Sequence, residues 1–272
     1  MRLFDTHCHL TDERFAEDLP DVIARMRAAG VARAVVIGDA AKDASDVIAL
    51  ARAHDFLSCA AGVHPHDASC WDDARAQLLR GWLGAPKMVA LGEIGLDYHY
   101  DLSPRDDQLR AFDAQLAIAF ELGLPAILHI REAHGEATEL LRARFRAGAL
   151  PRCVMHCYTG SWESAKGYLS MGMYISFTGA VTFKNAPKLA EVARNVPLDR
   201  LMLETDCPYM TPVPLRGTRN EPAYIAYTAE KIAALRAVPA PALAQAAYEN
   251  SQRFFGGGGE EEAGGTRRRE DN

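Results

Sequence analysis

No run in this 272-residue chain approaches the uninterrupted apolar length of a membrane span, so the sequence predicts no crossing of a bilayer. The N-terminus also lacks a basic segment followed by an apolar one. That predicts no secretory leader and a cytoplasmic location. Cysteine is sparse and unpatterned: Cys8, Cys59, Cys70, Cys153, Cys157 and Cys207 include no Cys-x-x-Cys. Reduced, buried thiols are expected rather than disulfides. No basic patch stands out, and the formal net charge is −6. This argues against tight non-specific binding to duplex nucleic acid. It leaves a nucleic-acid substrate open, because bound divalent cations would reverse the local field. No internal repeat, interdomain linker or organic-cofactor motif is visible, and nothing points to an obligate protein partner.

What is present is an ordinary globular composition, 49% hydrophobic and 24% charged, over a length that suits one large core. Eight strand-like runs can be counted: Arg2–Asp5, Ala32–Gly38, Leu57–Val63, Met88–Glu93, Pro125–Ile130, Cys153–Cys157, Met173–Phe177 and Leu201–Thr205. Helical or loop segments separate them. The helices are expected over Glu13–Ala29, Lys42–His54, Asp72–Leu83, Pro104–Leu122, Ala133–Ala147, Ser161–Met171 and Pro187–Asn195, with Pro222–Arg236 and Pro241–Phe254 at the end. Alternation of this kind means crossover connections and parallel strands. The expected fold is therefore a single α/β domain over residues 1–255, a (β/α)8 TIM barrel with extra C-terminal helices. Residues 256–272 are Gly-rich, then acidic, then basic (Arg267–Arg269), and apart from Ala263 carry nothing apolar to bury. They read as a disordered tail.

The chemistry gathers at strand ends. His7 and His9 are two apart on the first strand, so they point the same way and Cys8 points away. A lone His-x-His is weak evidence. However, strand four ends in Glu93, His129 and His156 lie near the ends of strands five and six, and Asp206 follows strand eight. In such barrels these ends share one rim. Imidazole and carboxylate together suit Zn, Mn, Ni, Co, Fe or Mg rather than a calcium cage. The set suggests two divalent cations, with Glu93 bridging. His7, His9 and Asp206 would complete one site, and His129 and His156 the other. A pair of cations can activate a shared water, and Asp206 could take its proton.

The motifs Asp5-Thr-His-Cys-His-Leu10, Gly62-Val-His-Pro-His66, Gly92-Glu-Ile-Gly-Leu-Asp-Tyr98, Leu128-His-Ile-Arg-Glu-Ala133, His156-Cys-Tyr-Thr-Gly160, Glu204-Thr-Asp-Cys-Pro-Tyr209 and Arg216-Gly-Thr-Arg-Asn-Glu-Pro222 together resemble the TatD family of metal-dependent deoxyribonucleases, in the amidohydrolase superfamily. The resemblance runs from the first strand to the last helix. It implies a two-metal barrel, assigns metal contacts to the six residues above, and places His64 at the active site, against the scissile phosphate. Thr218 stands where the family often has lysine.

Other residues keep two readings. Arg131, Arg216 and Arg219 could pair with phosphate or form structural ion pairs. Tyr98 and Tyr209 could stack on a base or pack under loops. His66 could merely shape a turn, and Glu204 could hydrogen-bond behind the metal ligands.

The expected activity is a 3′–5′ exonuclease on single-stranded DNA or DNA ends, with catalysis by Asp206 and Glu93. Two alternatives remain. One is two-metal hydrolysis of another ester or amide, such as a small phosphate ester or a D-aminoacyl-tRNA. The other is a non-catalytic scaffold on an old barrel.

Overall fold

The computed structural model describes residues 1–40 and 42–256; the expectation for the tail falls, beyond Gly256, outside them. Eight parallel strands form one sheet in chain order: β1 (Leu3–Cys8), β2 (Val31–Asp39), β3 (Leu57–Gly62), β4 (Met88–Asp97), β5 (Ala126–Arg131), β6 (Cys153–Met155), β7 (Tyr174–Phe177) and β8 (Leu201–Leu203). Helices cover the outside: α1 (Leu19–Ala28), α2 (Ala44–Ala53), α3 (Asp73–Leu83), α4 (Arg105–Glu121), α5 (His134–Arg146), α6 (Trp162–Leu169), α7 (Pro187–Asn195) and α8 (Ile225–Arg236). A further helix, α9 (Ala240–Phe255), lies beneath the barrel. No described helix is long and apolar enough to cross a membrane.

The seam between β1 and β8 closes through a mixture of backbone and side chain. Asp206 N–H donates to His7 O, and His9 N–H to Cys207 O, each at 2.9 Å. Thr6 Oγ1 donates to Leu203 O at 3.1 Å. The buried Asp5 carboxylate accepts from Thr205 N–H (2.9 Å) and Thr205 Oγ1 (2.6 Å). Asp5 therefore supplies across the seam the partners that a regular ladder would supply by backbone alone.

Alternation sorts the strand residues into two cores. Leu57, Cys59, Leu128, Met155, Ile175 and Leu203 pack outward against the helices. Phe4, Val35, Ile37, Ala60, Ala90, Ile127, Val154 and Met202 fill the barrel interior, and Tyr248, Phe254 and Phe255 of α9 close it from below. The rings of Phe4 and Phe255 lie 5.7 Å apart, and those of Phe4 and Tyr248 5.9 Å. On β5 and β6 the same inward parity that puts Ile127 and Val154 on the floor brings His129 and His156 to the rim.

Several boundaries differ from the sequence expectation. β1 continues to Cys8, which still pairs with Val36 of β2, and β4 continues to Asp97, opposite Arg131 of β5. β6 and β8 stop short because the chain turns into left-handed backbone soon after, at Cys157 (φ 41°) and Asp206 (φ 55°). The first helix is split into a 3-10 turn, Glu13–Phe15, and α1. Pro20 lacks an N–H and belongs in the first turn of a helix, not inside one. None of the six cysteines is bonded to another. Cys8 and Cys207 are buried, but Cys157, where a buried thiol was expected, is only part-buried and lines the cleft above the barrel.

Candidate metal centre

Glu93 owes its position to an irregularity. From Ala90 on the floor, strict alternation would turn Gly92 and Ile94 inward. Instead the β4–β5 register shifts between Leu91 and Ile94, Ile94 joins the outer core, and Glu93 points in. The slip needs glycine. At Gly95 (φ 148°) an added Cβ would stand 1.9 Å from the carbonyl oxygen of His129, and at Gly92 (φ 152°) 2.7 Å from Ile127 Cβ. After the slip, Ile94 and Leu96 face out while Glu93, Gly95 and Asp97 face in.

The two oxygens of Glu93 meet different histidines. Oε2 lies 3.3 Å from His7 Nε2. Oε1 lies 2.6 Å from His129 Nδ1, 3.1 Å from His156 Nε2 and 3.7 Å from His64 Nε2. His7 Nε2 and His9 Nε2 are 3.2 Å apart, and Asp206 Oδ1 lies 3.8 Å from the first and 3.4 Å from the second. The His7 and His156 rings stack with centroids 3.6 Å apart. Three overlapping donor groups result, His7–His9–Glu93, His7–His156–Asp206 and His64–Glu93–His129, with the donor atoms of each within 4.8 Å of one another. The structure thus brings all six expected ligands together, with His64 beside them. Converging nitrogen and carboxylate donors of this kind fit a divalent cation.

Outer partners choose the imidazole tautomers. His129 Nε2 faces Asp97 Oδ2 at 3.1 Å, so the one proton of a neutral His129 belongs there, which would leave the Nδ1 lone pair facing inward for a cation. His156 is the reverse: Nδ1 faces Glu204 Oε1 at 3.1 Å, and Nε2 points inward. His64 Nδ1 accepts from His66 N–H (3.2 Å), which puts the proton of a neutral His64 on Nε2, aimed at the centre as a donor. Asp97 also lies 2.9 Å from His66 Nε2 and accepts from the N–H groups of His99 and Tyr100.

Burial and charge compete at every group. Burial alone would raise Glu93, but four facing histidines hold its carboxyl well below the usual range. Asp97 and Asp206 are lowered in the same way, against burial, by hydrogen bonds and nearby histidines. Burial depresses His7, and it takes His64 down to about 4. His129 goes the other way, up to about 9, because Glu93 and Asp97 outweigh its burial. A centre that keeps its carboxylates charged is prepared for a cation.

These groups open onto a cleft of about 1050 Å³, lined also by Asp12, Lys42, Tyr100, Arg131 and Tyr209. Arg131 is therefore on the cleft. Arg216 is beside it, over the Phe183 ring at 3.9 Å in a small pocket that shares Met210 with the cleft. Arg219 is forked onto Asp18 (2.7 and 2.8 Å) and also donates to Arg14 O, away from the cleft. Tyr98 is partly buried under Arg105 and does not line the cleft. Asp97 and the role of His66 were not foreseen. The signal was the alternation of Glu93-Ile-Gly-Leu-Asp97, legible only if the strand is carried past Glu93.

Fold and centre together define a metal-dependent hydrolase of the TIM-barrel type. Relatives say which one. Residues 4–256 match the model of the family described as TatD related DNase, and the chain belongs to that family. It is 42% identical over 253 residues to the metal-dependent hydrolase YabD of Bacillus subtilis, covering 93% of this chain and 98% of YabD. It is 38% identical over 259 residues to the 3′-5′ ssDNA/RNA exonuclease TatD of Erwinia tasmaniensis, covering 93% and 99%. Among solved structures, the TatD homologue YjjV of Escherichia coli K12 superposes with a TM-score of 0.88 at 33% identity, covering 94% of this chain and 98% of YjjV.

Proposed function

We propose that this hydrolase is a 3′–5′ exonuclease on single-stranded nucleic acid, acting at a centre of two divalent cations. The observation that carries the two-cation reading is the division of Glu93: one oxygen faces His7, the other faces His129 and His156. His7, His9 and Asp206 would hold one cation with Glu93, and His129 and His156 the other. Bound there, a cation pair supplies Lewis acidity and an activated water.

The remaining work falls to the chain. Asp206 keeps a charged carboxylate beside His7 and His9, and is the proton acceptor for the attacking water. His64 presents an N–H toward the centre and Arg131 a guanidinium on the cleft wall, both suited to phosphate oxygens. Arg216 lies beside the cleft, in a small pocket that shares Met210 with it, and would suit a more distant phosphate. Arg219, tied to Asp18, braces the segment that carries Arg14 and Phe15. The exonuclease name of the Erwinia relative supports strand and polarity. The cleft is larger than a phosphate monoester requires and suits the end of a chain.

The test is a matched assay of wild type and Glu93→Ala on 3′-labelled and 5′-labelled single strands, after chelation and refilling with Mg, Mn, Co or Zn. Metal-restored trimming from the 3′ end in the wild type alone is expected. Absence of cleavage with metal bound would reject the nuclease reading and turn attention to small phosphate esters and aminoacyl esters.

A further inference from the structure

Two tyrosines stand half open at the mouth of the cleft, and the hydrolytic chemistry uses neither. Tyr100, just past β4, is 55% exposed, and Tyr209, past β8, is 51% exposed. Both line the cleft. Large aromatic rings usually lose most of their surface on folding, and a ring left open beside a reaction centre lacks an internal packing partner for that surface.

Neither ring is loose. Tyr100 N–H donates to Asp97 Oδ1 at 2.9 Å, and Tyr209 N–H to Asp206 O at 2.9 Å. Each backbone is thus tied to a carboxylate residue of the centre. Each ring also has an imidazole set edge-on against it: His66 for Tyr100, with centroids 5.4 Å apart, and His9 for Tyr209, at 6.4 Å. Each ring carries a guanidinium as well, Arg131 at 4.8 Å from the Tyr100 centroid and Arg14 at 4.3 Å from that of Tyr209. Arg14 is itself gripped by Asp12 through two contacts of 2.8 Å. The two assemblies repeat the same parts: an open tyrosine, an edge-on histidine, a cation and a backbone tether to the centre.

Their placement is set by the barrel. β4 and β8 lie four positions apart in a sheet ordered β1 to β8. In a closed eight-stranded barrel that separation is the diameter. Glu93 and its histidines sit between the two tyrosines. Leu102, 65% exposed, extends the apolar surface beside Tyr100, and Met210 extends it beside Tyr209.

We propose that Tyr100 and Tyr209 are stacking platforms for unpaired nucleobases on the two sides of the phosphodiester held at the centre. The proposal rests on the nuclease reading above and adds how the strand is gripped. Every base offers a π-face, so the grip tolerates sequence. Bases in a duplex are already stacked on one another and are withheld from the rings. Selection for single strands then comes from these rings rather than from a basic groove, which fits a cleft that carries acidic groups as well as Lys42 and Arg131.

The experiment compares cleavage of a short oligothymidylate with cleavage of the same strand carrying abasic residues at its 3′ end. Wild type, Tyr100→Ala, Tyr209→Ala and the two Tyr→Trp variants are measured with saturating Mn. The wild type should prefer the intact strand in kcat/KM by roughly ten-fold or more, a ratio typical of base–aromatic stacking. Each alanine variant should lower that preference several-fold, and each tryptophan variant should keep it. Equal cleavage of both strands by the wild type, or full preference in the alanine variants, overturns the platforms while leaving the nuclease. Cleavage of neither strand by a wild type that still hydrolyses bis(4-nitrophenyl) phosphate overturns the nuclease reading and the platforms with it.

Discussion

Asp97 Oδ2 stands 3.1 Å from His129 Nε2, and the opposite nitrogen of the same imidazole stands 2.6 Å from Glu93. One ring thus connects a fully buried carboxylate to the middle of the candidate metal centre. A carboxylate behind a histidine ligand fixes its tautomer and makes its inward nitrogen more basic. Asp97 also holds His66, so one side chain orders two rings and the loop after β4.

Replacing Asp97 by Asn keeps the shape and removes the charge. We expect metal affinity to fall by about 10- to 100-fold, measured by competition against a chromophoric chelator. The circular dichroism spectrum should be unchanged. Affinity equal to wild type would show that Asp97 does not act through His129.

Chelation should lower the melting temperature. A ligand that binds only the folded chain stabilises it by about 2.7 kcal/mol at a concentration of a hundred Kd. Removing metal also leaves Glu93 and Asp206 charged within one buried cluster. Differential scanning calorimetry with and without Mn or Zn reads this directly, and a melt insensitive to chelator would contradict a metal site.

Gly95→Ala should be severe despite adding one methyl. The new Cβ would overlap the His129 carbonyl oxygen, and the backbone there is left-handed. A loss of about 3 kcal/mol or more is expected, read by urea denaturation. The variant should also lose metal, because relieving the overlap moves β4 away from β5 at His129. Gly123→Ala also has positive φ but open space around it. It should cost only about 1 kcal/mol and bind metal normally.

The Asp18 ion pairs predict an acid limit. Arg219, then Arg25, hold its carboxyl at about 2, below the ordinary 3.8. A depressed acid contributes stability above its unfolded value and loses it as pH falls through the folded one. Wild type should therefore exceed Asp18→Asn in melting temperature near neutrality. The gap should narrow as pH falls from about 3.8 to about 2. A gap constant across that window would show that the pairs add nothing.

Much of the molecule can be read before folding, and the residues explain why. The βα alternation and the six donors follow from period and position alone. His129 and His156 keep strict parity with Ile127 and Val154, so their place on the rim is a matter of counting. Glu93 is harder, because the count slips at Gly92 and the slip depends on β5 packed alongside. Asp97 was hidden by the same slip. The arginines show a different limit. Arg131, Arg216 and Arg219 are equivalent as sequence, and only the packed chain pairs Arg219 with Asp18, two hundred residues away. Tyr98 and Tyr100 differ likewise: Arg105 of α4 covers the first, and the second stays open to the cleft.

The aromatic floor of the barrel has a consequence for synthesis. Phe4 is made 251 residues before its ring partner Phe255. Until α9 leaves the ribosome, Val35, Ile37, Ile127 and Met202 have no lid beneath them. The emerging polypeptide must carry an open apolar ring until α9 has been made, which is the kind of surface that aggregates or recruits a holdase. A chain cut before Ala240 should bind the dye ANS strongly where the intact chain does not. α9 thus covers the apolar interior of the barrel from the end opposite the chemistry.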